Sequence, residues 1–442
     1  MTDRVLQAAA CDEDRHAPIG AILFMTVLLF LFITVKPYVD LTGEAVLDPS
    51  AGNSHRLNQV ITLLLFAGLL IYGLAHPMRS VIFQPHALMP CILMWFLIIS
   101  LASPHAFLSI KAVILSAITF VLAAVFLLLP SSESQFAKLL AIGALVMLGF
   151  AYYGVIFLPQ LSIHQASELR EPMNAGFWRG HLPHKNSAAG IMVITVFIGL
   201  YVASTWSRAL GFLIMVLSTF FLLHTGGKSA SAMMPAVLLL AWLFERFRWT
   251  RLPIAIGGVT AFNLLAVGSA IIPPFREFVA GLGVDATFTN RDDIWRLAFS
   301  AISERPILGY GFNGFWQTPE LVYSGGFIES WAVQAYNGHN AYLDMALTTG
   351  VPGLLLTLAL VLIMPLRHLR GIEAEGPQSD ITRLFLRIWL YTLYNSVLES
   401  IFFANGSPLW FMFLAALYAF RLRSQRLVVS SSAPAIRKAA HA

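Results

Sequence analysis

The chain has 442 residues, of which 57% are hydrophobic and only 12% are charged, and its net charge is +5. Soluble proteins carry charged residues at about a quarter of their positions, so this composition excludes a soluble enzyme and a nucleic-acid-binding protein. The mean hydropathy of +0.73 indicates that most of the chain has lipid as its solvent. The two cysteines, Cys11 and Cys91, are too few and too far apart for a disulfide framework or a zinc site.

Twelve apolar segments have about the length that a membrane-crossing helix requires. A transmembrane helix needs about 20 mostly apolar residues, and a window of that length finds the segments in chain order. They are Pro18–Tyr38, Leu57–Ala75, His86–Leu101, Phe107–Leu129, Phe136–Leu158, Asn186–Ser204, Ser207–His224, Ser229–Phe247, Leu252–Ile272, Asn340–Pro365, Leu384–Phe403 and Ser407–Arg421. The sequence therefore predicts an all-α integral membrane protein with about 12 transmembrane helices.

The distribution of Lys and Arg indicates that both ends of the chain are cytoplasmic. With this orientation, 17 of these residues lie on the inner side and 10 on the outer side, which agrees with the excess of basic residues in cytoplasmic loops. The predicted order is a cytoplasmic tail at 1–17, nine spans within 18–272 with an outer loop at 159–185, a periplasmic loop at 273–339, three spans within 340–421 and a cytoplasmic tail at 422–442. Because the outer cations oppose the topology rule, we expect them to serve another purpose.

The outer loop at 273–339 contains a segment with helical spacing of its apolar residues. We predict a short amphipathic helix at the outer interface that begins near Arg291, with Thr289 or Asn290 as its N-cap. The apolar residues that form one stripe are Ile294, Leu297, Ala298, Ala301 and Ile302.

Three of the predicted inward-running helices start on the outer side with polar and cationic residues. The sixth starts around His184-Lys185-Asn186, the eighth around Lys228-Ser229 and the tenth around His339-Asn340. A helix N-terminus carries partial positive charge and unpaired N–H groups, which suit an anion. Together with Arg291, these residues predict an anion site on one membrane face. For any single cation, the alternative is that its side chain only reaches lipid phosphate and anchors the protein.

Two carboxylates, Asp344 and Glu399, fall within predicted spans near the outer side. Carboxylates inside a membrane are costly and often functional. Both lie close to a span boundary, so a polar contact within the bundle and a part in catalysis remain equally open. His181 and His184 have the spacing of two metal ligands, but no acidic partner follows them on the same helix. We therefore expect no metal ion and no other cofactor.

Several short motifs resemble one known family. They are His184-Lys185-Asn186, Lys228-Ser229-Ala230, Asn290-Arg291-Asp292-Asp293-Ile294-Trp295, Arg305-Pro306-Ile307-Leu308-Gly309-Tyr310-Gly311-Phe312, His339-Asn340-Ala341-Tyr342-Leu343-Asp344 and Gly350-Val351-Pro352-Gly353-Leu354. In their order and their placement relative to the spans, they resemble the signature of the O-antigen ligase and Wzy-type polysaccharide polymerase superfamily. The resemblance covers about residues 186–420. It departs from the commoner family pattern at Lys228, where many members carry arginine.

The resemblance implies a membrane glycosyltransferase of the GT-C type in the bacterial inner membrane. Such an enzyme acts at the periplasmic face on saccharides carried by undecaprenyl pyrophosphate. The resemblance implies that His339 and Arg291 are catalytic, with Arg291 and Lys228 binding phosphate. A helix N-terminus beside His339 favours the neutral imidazole, which can accept a proton from a sugar hydroxyl. The further residues expected to contact pyrophosphate or saccharide are Lys185, His184, Asn340, Ser229, Asn186 and Trp295.

The favoured hypothesis is an enzyme that transfers a lipid-linked oligosaccharide or polysaccharide to a saccharide acceptor. A polymerase would extend the glycan on another lipid-linked repeat, and this is the interpretation we prefer; a ligase would join the glycan to lipid A–core. A polytopic transporter of anionic or lipid-linked sugars ranks lower, because transporters often have two related halves and this sequence shows no such repeat. The expected partners are the lipid-linked donor, the saccharide acceptor, membrane lipid and other polysaccharide assembly proteins, but no nucleic acid.

Overall fold

The computed structural model describes most of the chain. The described residues are 2–43, 56–76, 79, 88–169, 171–283, 287–288, 291–323, 331–373 and 379–424. The predicted N-cap residues Thr289 and Asn290, and the outer cation Arg170, lie outside them.

The described part of the chain is all-helical. Its helices are α1 (Thr2–Ile33), α2 (Arg56–Ala75), α3 (Leu88–Leu101), α4 (Ala106–Phe126), α5 (Glu133–Phe157), α6 (Lys185–Thr205), α7 (Arg208–His224), α8 (Lys228–Arg246), α9 (Val259–Ile271), α10 (Pro273–Gly281), α11 (Arg291–Glu304), α12 (Ala341–Leu358), α13 (Met364–Glu373), α14 (Asp380–Asn395) and α15 (Pro408–Ser424). Short helical turns lie at Pro159–Ser162, Pro172–Asn174, Arg248–Thr250, Pro319–Val322 and Trp331–Gln334, and wider π-turns precede α9 at Pro253–Gly258 and follow α12 at Ala359–Ile363. Within the described residues no β-strand forms, and a single isolated bridge joins Ile163 to Trp178.

Seven helical segments of the described chain are long and apolar enough to cross a membrane. They are Arg56–Ala75, Ala106–Phe126, Glu133–Phe157, Lys185–Thr205, Lys228–Arg246, Arg248–Ile271 and Ala341–Ile372. Three shorter apolar helices, at Pro18–Ile33, Leu88–Leu101 and Arg208–His224, accompany them. The protein is thus a multi-pass membrane protein, as the composition predicts, while the count of twelve spans stays a prediction.

The span predicted at Leu384–Phe403 differs most from the structure. The helix here, α14, starts four residues earlier and ends at Asn395, and the chain then turns without regular helix until α15. Ser379 accepts a hydrogen bond from the N–H of Thr382 (3.4 Å) and so caps the start of α14. The turns after Asn395 bury apolar side chains as thoroughly as a helix does, so hydropathy did not distinguish them from a span. These side chains are Val397, Leu398, Ile401, Phe402 and Phe403.

Three helices form the centre of the bundle. Most residues of α6, α14 and α15 are buried, as expected for helices that are hydrophobic on all sides. α6 packs on α7, α14 on α15, and α8 on α14. Large side chains such as Trp389 and Trp410 are fully buried in this centre. The central helices therefore provide a rigid base for the segments that begin at their ends.

The loop after α11 is fixed to α12 at a bend in that helix. The bend lies at Gly350, whose φ of +70° is in the left-handed region, and a Cβ at this position would collide with the Ile307 carbonyl. Beside the bend, the Val351 N–H donates to the Pro306 carbonyl (2.8 Å) and the Tyr310 N–H donates to the Leu347 carbonyl (3.1 Å).

The predicted helix near Arg291 is present as α11, while its position at the outer interface stays a prediction. Its apolar stripe packs inward against the Trp331–Gln334 turn and against Leu347 of α12. In its first turn Asp292 forms ion pairs with Arg276 (2.8 Å) and with Arg296. α11 is therefore part of the folded core at the ends of the spans.

Candidate active site

His339 lies just before α12, where Trp295 and Asp344 form hydrogen bonds with the backbone of the preceding residue. The carbonyl of the preceding residue, Gly338, accepts a hydrogen bond from the Trp295 indole N–H (2.9 Å). The Gly338 N–H donates to both oxygens of Asp344 (3.0 and 3.1 Å). His339 itself has a φ of +46°, and its N–H donates to the Asn337 side chain (3.0 Å). A non-glycine residue in the left-handed region costs energy, and this network maintains it.

Glu399 is the residue that joins the predicted site together. Its Oε1 accepts hydrogen bonds from the Arg291 guanidinium (2.8 Å) and from the Asn186 side-chain amide (3.0 Å). Its Oε2 lies 3.5 Å from Nδ1 of His339. That Nδ1 is buried and has no closer hydrogen-bond partner. One carboxylate in the turn after α14 thus contacts the starts of α6, α11 and α12.

The charge state of Glu399 follows from these contacts. Burial alone raises the pKa of Glu399, but the positive charge of Arg291 and the contact with His339 lower it by more. The net effect holds the pKa of Glu399 well below its usual range, so the group is an anion at neutral pH. It faces a guanidinium on one side and an imidazole nitrogen on the other.

Two cations, Arg291 and Lys185, lie near this carboxylate, and a third, Lys228, lies near Lys185. Lys185 lies within electrostatic reach of Lys228, Arg291 and Glu399. Its ammonium also sits 4.3 Å from the ring centre of Phe177, a cation–π contact. Lys228 is exposed at the first position of α8 and has no ion pair within the described part of the chain. The cations outnumber the carboxylate at their centre, so the site has capacity for an additional anion.

The three helix N-termini of the site are not equivalent. At α6 the His184 side chain accepts a hydrogen bond from the Asn186 N–H (3.1 Å), and at α12 the Asn340 side chain accepts one from the Leu343 N–H (2.9 Å). α8 begins after Gly227 and has no side-chain cap. The first-turn N–H groups of α8, next to Lys228, are therefore the most open to an anion.

Glu171, from the outer loop at 159–185, pairs with His184. The two side chains are 2.9 Å apart. Because Nδ1 of His184 accepts the Asn186 N–H, its Nε2 carries the proton that is donated to Glu171. This hydrogen bond lowers the pKa of Glu171 to about 2, against the effect of burial. Glu171 also interacts electrostatically with His339, so this loop contributes a second carboxylate to the site.

A buried histidine fixes the start of α6. His164 lies 2.7 Å through Nδ1 from Glu168, and its Nε2 accepts the Lys185 N–H (3.2 Å). Burial lowers the pKa of His164, which agrees with the neutral tautomer that this bonding pattern requires. The backbone of Lys185 is thereby held while its side chain remains directed to the cation cluster.

The other predicted site residues have different surroundings. Asn340 is fully buried, caps α12 and donates to the Asn263 side chain (2.9 Å). Trp295 is fully buried, and its only polar atom is used by Gly338. Ser229 is half-buried in the first turn of α8. The structure thus brings His339, Arg291, His184, Lys185 and Asn186 together, with Lys228 in electrostatic reach of Lys185. Catalysis and substrate contacts by these residues and by Asn340, Trp295 and Ser229 stay predictions.

The two carboxylates that the sequence left open take different places. Asp344 is a buried contact within the bundle, which accepts hydrogen bonds from the Trp316 indole (2.8 Å), the Gly338 N–H and the Ser400 hydroxyl. Glu399 lies at the centre of the site. In the sequence, only its place at the end of an apolar stretch indicated that Glu399 could belong to a site. No feature of the sequence indicated Glu171.

Comparison with known proteins supports the family resemblance. A family model described as O-antigen ligase matches residues 210–358. The matched segment contains Lys228, Arg291 and His339, while Glu399 lies outside it. The predicted resemblance is confirmed over this segment, and a search of curated proteins found no match to the chain.

Proposed function

Since the chain carries the O-antigen ligase family segment at residues 210–358, we propose that it is a membrane glycosyltransferase. It transfers an oligosaccharide or polysaccharide from undecaprenyl pyrophosphate to a hydroxyl of a saccharide acceptor. The observation that carries this proposal is the Glu399 carboxylate, which contacts both His339 and Arg291. A base and a phosphate-binding cation are thereby held side by side at the ends of the spans.

In the proposed reaction, the bond between the anomeric carbon of the donor and the pyrophosphate oxygen breaks. The acceptor oxygen bonds to that carbon, its proton passes to Nε2 of His339, and undecaprenyl pyrophosphate leaves with the electron pair. Glu399 faces Nδ1 of His339 and fixes a proton there, which keeps Nε2 able to accept one. The 3.5 Å between Nδ1 and Oε2 agrees with this role, because catalytic hydrogen bonds are often long in the unliganded enzyme and tighten when substrate binds.

The leaving pyrophosphate gains negative charge, and the cations of the site stabilise it. Arg291 presents a planar fork that suits two phosphate oxygens, while Lys185 and Lys228 act as point charges. The uncapped start of α8 adds N–H donors beside Lys228. Fixed donors aimed at developing charge are usually the largest single contribution to such a step. The charge is balanced by side chains, so we expect the transfer to proceed without a metal ion.

We further propose that the site faces the periplasm in the bacterial inner membrane. The orientation rests on the excess of Lys and Arg on the opposite side. The seven long apolar segments, the three shorter ones and the buried helices α14 and α15 together support twelve spans.

Two activities, which differ in the acceptor, can use such a site. We favour a polymerase, which uses another lipid-linked repeat as the acceptor, because of the His184-Lys185-Asn186 motif at the site. The second candidate is a ligase that joins the glycan to lipid A–core, and the description of the matching family model favours it. Both share the pyrophosphate site and differ in the acceptor.

Analysis of surface and lipid-linked glycans in the native bacterium tests both candidates. A strain that lacks the protein accumulates single repeats on the lipid carrier if the protein is a polymerase, and unligated long chains if it is a ligase. Complementation with the wild type restores the product, and complementation with the His339→Ala chain does not. Unchanged glycans in the deletion strain would refute both candidates.

A further inference from the structure

A second charged site lies at the opposite membrane face from His339. α8 begins at Lys228 in the candidate active site and rises about 28 Å over its 19 residues. A groove of about 370 Å³ opens at its other end, between the end of α8, the turn that follows it and α13. We call it the basic groove, because Arg248, Arg251 and Arg370 line it.

The basic groove combines cations with an apolar floor. The floor is formed by Phe244, Leu366 and Leu369, all of which are buried. Among the residues that the structure describes, no carboxylate lines the groove, and the nearest acid along α8, Glu245, lies 3.1 Å from Nε of Arg383. Three guanidiniums over leucines form a surface complementary to an anion that carries hydrocarbon.

The arginines are arranged to meet a ligand from the membrane. Arg251 is oriented by a hydrogen bond from its Nε to the Phe244 carbonyl (3.0 Å). Arg248 and Arg370 are exposed and have no ion pair within the described residues. Trp249, 75% exposed beside them, is the kind of aromatic residue that settles at the level of lipid headgroups.

Exposed apolar side chains continue from the groove along the outside of the bundle. Leu252, Ile256 and Ile363 each expose 41–53% of their surface, and they belong to segments that are long and apolar enough to cross a membrane. Acyl chains can lie along these residues while the headgroup stays among the arginines. A free phosphate ion would leave the apolar floor without a partner.

We propose that the basic groove binds an anionic phospholipid, and that it prefers a headgroup with two phosphates, as in cardiolipin. Arginine pairs with phosphate through two parallel hydrogen bonds, and the three positive charges of the groove exceed the single negative charge of one phosphodiester. Basic pockets between transmembrane helices on the cytoplasmic side are suited to such headgroups. This lipid joins α8 to α13 at the face opposite the candidate active site, and its binding does not depend on the proposed glycosyl transfer.

The test measures lipid binding to the purified full-length protein in detergent. Cardiolipin and phosphatidylethanolamine are titrated separately, with thermal unfolding and native mass spectrometry as readouts. A ligand that binds only the folded protein raises its unfolding temperature, so we expect a rise with cardiolipin. Each basic residue near an anionic headgroup contributes about 1 kcal/mol, so the double variant Arg248→Gln, Arg370→Gln weakens cardiolipin binding roughly 30-fold.

A matched control is Arg246→Gln. Arg246 lies at the same end of α8, but its guanidinium stacks 5.3 Å from the ring centre of Phe247 and does not line the groove. Arg248→Gln alone provides a milder variant in case the double variant is unstable, and it weakens binding roughly fivefold. Equal stabilisation by phosphatidylethanolamine, wild-type affinity in the groove variants, or an equal loss in Arg246→Gln would each overturn the proposal.

Discussion

Replacing Glu399 by glutamine removes one charge from the centre of the site and keeps the side-chain shape. Two donors, from Arg291 and Asn186, point at Oε1, so the amide oxygen takes that position. The new NH2 group then occupies the place of Oε2 and faces Nδ1 of His339. An amide donor at this place makes Nδ1 an acceptor and moves the imidazole proton to Nε2. The nitrogen proposed as the base can then no longer accept a proton.

The size of the effect follows from these contacts. General base catalysis contributes about 10²–10⁴-fold, so we expect Glu399→Gln to lower turnover by about 10²–10³-fold, or about 3–4 kcal/mol. The loss of charge beside Arg291 also weakens a charge-assisted bond, which contributes about 1.5–3 kcal/mol. The glutamine oxygen keeps part of that bond, so the free energy of unfolding falls by only about 1–2 kcal/mol.

The assay uses purified protein, a lipid-linked saccharide donor and its acceptor, with turnover and thermal unfolding measured together. Glu320→Gln is the matched control, because Glu320 also pairs with a histidine, His105 (2.9 Å), but is 70% exposed and away from the site. We expect this control to keep wild-type turnover. If Glu399→Gln stays within threefold of the wild type while His339→Ala is inactive, Glu399 does not orient the base.

Three further predictions concern residues around Glu399 and His339. Arg291→Ala lowers turnover about 10²–10³-fold, as expected for a lost donor to developing charge. Arg291→Lys and Lys228→Arg lower turnover less than the corresponding alanine variants do. Equal turnover in all of these variants would indicate that the two cations only anchor the protein to lipid. Asp344→Ala leaves the donors of Trp316, Gly338 and Ser400 without their acceptor and lowers the free energy of unfolding by about 1–3 kcal/mol, measured by thermal unfolding. An unchanged stability would contradict the role of Asp344 as a contact within the bundle. Since the folded pKa of Glu171 is about 2, its stabilising contribution is fully present above its unfolded pKa of about 4.3 and is lost as the pH falls toward 2. The difference in unfolding temperature between wild type and Glu171→Gln is therefore constant from pH 8 to 5 and shrinks below pH 5; a difference that already changes between pH 8 and 6 would assign it to another group.

Helix positions were predictable wherever polar residues mark the ends of an apolar segment. The starts of α6 and α8 lie one residue from their predicted positions, because Lys185 and Lys228 stand directly at the boundary. At α14 the prediction was wrong by eight residues at the end, since the chain leaves the helix at Asn395 but continues to bury apolar side chains. A run of apolar residues indicates burial, and burial does not require a helix.

The cations and the histidine of the site were predictable from their places at helix starts, but their common partner was not. Glu399 lies 108 residues from Arg291 in the chain, and only the fold brings them together. Trp295 shows how packing adds a role that the sequence does not indicate. Its place in the amphipathic helix predicts a contact with substrate, which stays a prediction, and the structure adds a buried hydrogen bond from its indole to Gly338. Sequence spacing identifies candidates, while tertiary packing decides which of them point into the site.

The most direct measurement of the central claim is glycosyl transfer by the purified His339→Ala variant. His224→Ala is the control, because His224 lies at the end of α7 next to the start of α8, but stacks on Trp178 (4.2 Å between ring centres) and has no contact with Glu399. We predict that His339→Ala folds, inserts and binds the lipid-linked donor but forms no product, while His224→Ala forms product at the wild-type rate. Near-normal product from His339→Ala would contradict the assignment of His339 as the base.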